Sequence, residues 1–174
     1  MPPVSVKGNL LATRKFRVAP KIRLLFTRFP LMPTIETRYL GDLRTQAVHL
    51  QSGSPLLTDA PTDNNGRGEA FSPTDLVAGA LGSCLMTIMG IVAQRDGIDL
   101  TGSRMAITKI MTTELPRRIA RIDIHLTMQT PHELPEPARA KLERAAHTCP
   151  VALSLHPDIE QAFTFEWTTP PTAP

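Results

Sequence analysis

Several short segments of the chain alternate between apolar and polar residues, and one long segment has almost no polar residues. Two alternating runs flank Gly41-Asp42 in TIETRYLGDLRTQAVHLQSG, which predicts two strands around a turn. PLLTD adds a short strand, and residues 98–113 and 117–129 predict two more. IEQAFTFEW near the carboxyl end predicts a closing strand. The pattern therefore places strands beside strands, which indicates an α+β class with an antiparallel sheet.

The long apolar segment has clear signals for the start and end of a helix. Ser72 suits the N-cap, Pro73 suits the first helical position, and Asp75 lies three residues past the cap, as in a capping box. The helix should reach about Gln94 and end at Asp96-Gly97. It is preceded by APTDNNGRGEAFS, a loop of 13 residues that is long enough to suggest a function.

Residues 76–93 carry no charge, and these 18 residues just reach the length of a membrane span. Three glycines, a serine and a threonine weaken that interpretation, so we expect a central helix that is buried on all sides. PEPARAKLERAAH predicts a short amphipathic helix, which ends at Cys149-Pro150 before a further turn through VALSL.

Charge is distributed unevenly along the 174 residues. Residues 1–31 hold seven of the 19 Lys and Arg residues and no acid, so the rest of the chain has a net charge of −4. This argues against nucleic acid as a partner. We predict a basic leader at 1–31, which is either unstructured or an upstream start before Met32 as the working initiator. One domain follows at 32–168, and a Pro-rich tail without structure at 169–174.

The chain has two cysteines, Cys84 and Cys149, which is too few for a disulfide scaffold. Such residues are typical of a reducing compartment, where they are free, catalytic or metal-bound. Cys84 lies twelve residues past the helix cap in apolar surroundings, which should raise its pKa unless a cation is supplied from elsewhere. Cys149 precedes Pro150, and a new helix there would make it the more acidic thiol. Either cysteine alone would more often be a small buried hydrophobic residue.

Three other kinds of site fit the residues less well. Cys84, His147, Cys149 and His156 could supply four zinc ligands, but the spacing lacks the usual C-x-x-C unit. A cysteine hydrolase would need a Gly-rich nucleophile turn, which is missing around Cys84. DAPTDNNGRG misses the spacing of a calcium loop, so we interpret it as a solvated loop.

SPTDLVAGALGSC followed by CPVALSLHPDI resembles the OsmC/Ohr family, the osmotically inducible and organic-hydroperoxide-resistance proteins. The similarity covers about residues 35–168. GDLRTQAVH and TDAPTDNNGRG are closer to an OsmC-like branch than to the hydroperoxide reductases. The resemblance implies an OsmC-like fold in an intertwined homodimer, with the long central helices at the interface and active sites built from both chains.

The resemblance also implies a reaction. Cys84 would be the peroxidatic nucleophile and Cys149 the resolving thiol, with no cofactor and with a dithiol reductant such as a lipoylated protein. An apolar wall of Leu81, Leu85, Met86 and Ile88 would favour an organic hydroperoxide. The expected location is the cytoplasm, without a membrane partner.

In this family an arginine activates the nucleophile and a carboxylate holds the arginine. The arginine corresponds to Arg44, with Arg38 as the second choice. The family glutamate position is Thr74 here, so Asp75 is a candidate anchor, as is Glu69 from the loop. This departure keeps a second hypothesis open, a non-catalytic dimer that binds ligands or acts in stress, with both cysteines merely packed.

Overall fold

The fold is described for residues 32–169 of a computed structural model, and the predicted leader at 1–31 and most of the predicted tail lie outside these residues. Six strands and three α-helices follow in the order β-β-β-α-β-β-α-α-β, with a single 3₁₀ turn before the first helix. Their bounds are β1 Ile35–Gly41, β2 Arg44–His49, β3 Pro55–Thr58, α1 Pro73–Arg95, β4 Arg104–Met111, β5 Ile119–Gln129, α2 Glu136–Ala146, α3 Pro150–Ser154 and β6 Glu160–Thr168. The predicted α+β class is confirmed.

The first sheet is antiparallel and has the order β1-β2-β3. Its first turn is the predicted one, and Gly41, Asp42 and Leu43 all have positive φ angles there. The sheet forms no broad contact with α1 or with the second sheet. It therefore projects from the rest of the chain, and we call β1–β3 the arm.

The second sheet has the order β4-β5-β6, and here the predicted antiparallel arrangement is only partly right. β4 and β5 are antiparallel, whereas β5 and β6 are parallel. Between β5 and β6 the chain passes through α2 and α3, and such a helical crossover returns the chain to the starting end of the sheet. Residues 98–103, which the alternation assigned to a strand, form an irregular segment with a turn at 101–102 before β4.

Helix α1 begins with the predicted capping box. Ser72 Oγ accepts from the Asp75 N–H, and the Asp75 carboxylate accepts from the Ser72 N–H. The expectation of burial on all sides is wrong for a single chain, because only one face of α1 is buried. Leu81, Leu85 and Met89 on that face are fully buried against the second sheet and α2. The apolar residues of β5 meet them there, as their alternation predicted.

By length and composition α1 also meets the criteria for a membrane span, with a mean hydropathy of 2.1. Its buried face packs against other elements of the same chain. The opposite face is open. Gly79 and Gly90 are half-buried at the edge of this open face. A Cβ atom added at either would meet no atom of another element within 4 Å, so another helix could approach α1 closely there.

Candidate active site

The two cysteines lie 65 positions apart in the sequence and are neighbours in the fold. Cys84 is half-buried in the middle of α1, and Cys149 is fully buried at the N-cap of α3. Their side chains join the same hydrophobic cluster, and Cys84 is near enough to raise the pKa of Cys149. Both are free thiols. The core of one chain therefore holds two thiols close together.

The sequence predicted that Cys149 caps a new helix and is therefore the more acidic thiol. The cap is confirmed, but the pKa of Cys149 is raised and not lowered. Burial is the largest influence and raises the pKa of Cys149 above the ordinary cysteine value. The Ala152 N–H donates to Cys149 Sγ at 3.2 Å and opposes this, but α3 has only five residues. Nearby Cys84 raises the pKa further. Cys149 therefore stays protonated near neutral pH.

The predicted apolar wall beside Cys84 needs correction. Leu81 and Leu85 are fully buried in the core, so they cannot line a space that a substrate enters. Met86 and Ile88 are half-buried and remain available. The single chain therefore has only part of an apolar surface beside the half-buried thiol.

Arg44 is the first residue of β2, and its side chain is mostly covered, with 20% exposed. Arg44 Nη1 donates to Glu69 Oε2 at 2.8 Å, so the carboxylate partner comes from the loop before α1. Arg38, the second choice, lies on β1 with its side chain exposed, 3.6 Å from Glu36. Of the two arginines, Arg44 has the better-defined position.

Asp75 has other partners. Its Oδ1 is 2.7 Å from Lys109 Nζ on β4, and its Oδ2 accepts from the Ser72 N–H at 2.8 Å. Lys109 Nζ also donates to Thr74 Oγ1 at 2.8 Å. The charge and hydrogen bonds of Lys109 and Ser72 outweigh burial and lower the pKa of Asp75. The family glutamate position and its neighbour thus bind a lysine, and neither binds Arg44 within the described residues.

The loop between β3 and α1 is organised around Asp59, which the sequence analysis did not single out. The Asp59 carboxylate is fully buried, and its Oδ2 accepts from the Glu69 N–H at 3.0 Å. At the base of the loop, the Asp59 N–H donates to the Phe71 carbonyl at 3.1 Å. An aspartate at the end of a strand before a Gly- and Asn-rich loop was the available signal, since such residues bond to nearby backbone.

Close approach inside this loop requires glycine at position 66. A Cβ atom built there would lie 1.7 Å from the Ala60 carbonyl oxygen, which no side chain tolerates. The loop is therefore a compact unit that presents Glu69 to Arg44. The earlier interpretation as a plain solvated loop is incomplete.

The histidines considered as zinc ligands point elsewhere. The His147 ring packs against Phe163 with centroids 5.0 Å apart. His156 Nδ1 accepts from the Asp158 N–H at 3.2 Å. Among residues 32–169, no group of three or more His, Cys, Asp or Glu side chains is arranged for a metal ion.

Within the described part of a single chain, Arg44 makes no polar contact with either thiol. No hydrogen bond or ion pair in the part of the chain that the structure describes connects Arg44 or Asp75 with either cysteine. The arm also leaves large apolar side chains in solvent, since Ile35, Tyr39 and Leu56 lie on one face of the sheet and are 57%, 67% and 39% exposed.

Comparisons with known proteins agree on the fold. The family described as OsmC-like protein matches residues 66–162. A Psychrobacter arcticus crystal structure, named for osmotic stress induction and a detoxification response, is 46% identical with a TM-score of 0.75, covering 80% of this chain and 99% of that chain.

Two more distant structures show the same fold. An organic hydroperoxide resistance protein OsmC from Legionella pneumophila is 16% identical with a TM-score of 0.58, covering 78% of this chain and 98% of that one. An organic hydroperoxide resistance protein from Elizabethkingia anophelis is also 16% identical with a TM-score of 0.59, covering 80% and 100%. No curated protein matches the chain significantly.

Proposed function

Because the chain belongs to the OsmC-like protein family, we propose that it is a thiol-dependent peroxidase that reduces organic hydroperoxides. The observation that carries this proposal is the pair of neighbouring thiols, one half-buried and one fully buried. A reachable thiol beside a second, protected thiol suits a two-cysteine cycle.

The proposed cycle balances with one hydroperoxide and two thiols. The Cys84 thiolate attacks the terminal peroxide oxygen, the O–O bond breaks, and the alkoxide leaves as an alcohol after taking a proton. Cys84 is then a sulfenic acid. Cys149 attacks its sulfur, water leaves, and a Cys84–Cys149 disulfide forms. A dithiol reductant supplies two electrons and two protons to restore both thiols, and a cytoplasmic protein would meet such a reductant.

We further propose that the active form is a homodimer in which Arg44 of the partner subunit lies beside Cys84. Two open surfaces support this assembly, the apolar face of the arm and the uncovered face of α1. Burying both would remove apolar area from water, which is the main driving force for association. An arginine within about 4–6 Å of a thiol lowers its pKa by about 1–3 units.

The direct test is a peroxide titration of the fully reduced protein. One equivalent of cumene hydroperoxide or of hydrogen peroxide is added, free thiols are blocked, and peptides are mapped by mass spectrometry without reduction. We expect a rapid Cys84–Cys149 disulfide, formed faster with the organic peroxide. If both thiols stayed reduced in excess peroxide, the proposal would be wrong.

The second candidate function is a non-catalytic dimer with packed cysteines. It is favoured by Thr74 at the family glutamate position and by the pairing of the neighbouring Asp75 with Lys109. Such a protein would keep its function after Cys84→Ser, whereas a peroxidase would lose it.

A further inference from the structure

A buried carboxylate that the proposed mechanism does not use lies next to Arg44. Asp59 follows β3 directly, its side chain is fully buried, and cross-strand pairing of Thr45 with Thr58 places it beside Arg44. Taking a carboxylate out of water is costly unless charges or hydrogen bonds compensate. The buried Asp59 carboxylate must therefore be stabilised by nearby hydrogen-bond donors or positive charges.

Asp59 holds the backbone of the loop. Its Oδ2 accepts from the Glu69 N–H at 3.0 Å, and this bond is the largest influence that lowers the pKa of Asp59. The Arg67 N–H and the charge of Arg44 act in the same direction against burial. The carboxylate is therefore ionised near neutral pH. Its Oδ1 has no hydrogen-bond donor among the described residues, which leaves one buried acceptor free next to a guanidinium.

Glu69 links Asp59 to Arg44. The backbone of Glu69 is fixed by Asp59, and its side-chain Oε2 accepts from Arg44 Nη1 at 2.8 Å. Asp59 thus sets the place from which Glu69 reaches the arginine, and its own charge also acts on Arg44. The other acidic candidate is occupied, because the two oxygens of Asp75 bind Lys109 and the Ser72 N–H.

We propose that Asp59 is the positioning residue for Arg44, acting through Glu69 in place of a carboxylate at position 74. This inference rests on the proposed role of Arg44 in activating Cys84. Asp59 touches neither thiol. Through Glu69 it holds the guanidinium in a fixed arrangement, from which Arg44 would stabilise the Cys84 thiolate in the dimer.

The test is the rate of Cys84 alkylation by iodoacetamide as a function of pH, measured by mass spectrometry on the full reduced chain. Only the thiolate reacts, so the profile reports the thiolate fraction. Asp59→Asn keeps the side-chain shape, removes the charge that acts on Arg44, and weakens the bond from the Glu69 N–H, because a neutral amide oxygen is a poorer acceptor than a carboxylate. We expect alkylation at pH 7 to slow about 10-fold, with the midpoint moved toward the ordinary cysteine value of about 8.5.

A double-mutant cycle separates positioning from a general loss of structure. In an Arg44→Gln background, Asp59→Asn should cause no further change, because both substitutions remove the same interaction. Glu69→Gln should reproduce most of the shift in the alkylation profile while keeping the backbone bond to Asp59. It replaces Asp59→Asn as the test variant if Asp59→Asn fails to fold. Asp63→Asn is the matched control, since this exposed carboxylate of the same loop pairs with Arg117 at 2.6 Å.

An Asp59→Asn profile that coincides with the wild-type profile would overturn the inference. So would a shift of the same size with and without Arg44. Failure of the proposed function looks different, because then the wild-type protein forms no disulfide with peroxide whatever its alkylation profile.

Discussion

The core and the arm of this protein differ in how well a single chain buries their apolar side chains. In the core, Leu81, Met89, Ile122 and Leu126 are fully buried around the thiol pair. In the arm, Tyr39 is 67% exposed, and the charged cluster of Arg44, Glu69 and Asp59 lies at its edge. One chain is thus enough to bring the two thiols together. Arg44, which is proposed to activate Cys84, belongs to the arm, whose apolar face is exposed in a single chain.

Changes in the core should have the largest effect. Cys84→Ser removes the nucleophile, so we expect peroxide reduction to fall to background. Cys149→Ser should allow a single oxidation and leave Cys84 as a sulfenic acid, which dimedone traps. A serine at position 149 can still accept from the Ala152 N–H, so the helix cap is kept. Equal turnover by wild type and Cys84→Ser would rule out the core as the reactive region.

A change in the arm should reduce activity without abolishing it. Arg44→Gln removes the cation proposed to stabilise the thiolate, and we expect the peroxide rate at pH 7 to fall about 10-fold while activity recovers at higher pH. Arg38→Gln is the control, because Arg38 is exposed and only weakly paired with Glu36. If Arg38→Gln caused the larger loss, the assignment of Arg44 would be reversed.

A substitution in the loop between β3 and α1 should lower the rate of peroxide reduction less than a change of Arg44 does. In Gly66→Ala the added methyl group collides with the Ala60 backbone, so the loop must move and Glu69 with it. We expect the peroxide rate of Gly66→Ala to fall several-fold, which is a smaller loss than for Arg44→Gln. Circular dichroism should show that the core of the Gly66→Ala protein stays folded. Asp63→Asn is the control, because it changes an exposed side chain of the same loop without adding an atom beside the backbone. A Gly66→Ala protein with the wild-type rate would show that loop geometry is unimportant.

Much of this arrangement follows from local sequence signals, and the rest depends on contacts between distant residues. The Gly41-Asp42 turn, the Ser72 cap and the alternation in β5 gave correct elements because short-range backbone preferences decide them. The parallel direction of β6 was missed because the crossover, and not the strand itself, sets it. The burial of Asp59 could not be predicted either, because it depends on a loop that closes over the side chain.

The smallest predicted effect is on acid stability. The pKa of Asp59 is lowered in the folded protein, mainly by the Glu69 N–H, so its ionised form stabilises the fold at pH values above about 4. That contribution is lost as the pH falls through the lowered pKa. The melting temperatures of wild type and Asp59→Asn should therefore converge as the pH falls below about 4. A difference that stayed constant over this range would show that the charge of Asp59 is not involved.

The most direct test of the account is subunit complementation between the two regions. Cys84→Ser and Arg44→Gln chains with different tags are co-expressed, and the mixed dimer is isolated and assayed with cumene hydroperoxide. If Cys84 is activated by Arg44 of the partner subunit, each mixed dimer has one intact site and should show about half of the wild-type rate. A mixed dimer no faster than the mean of its two parents would contradict an active site shared between core and arm.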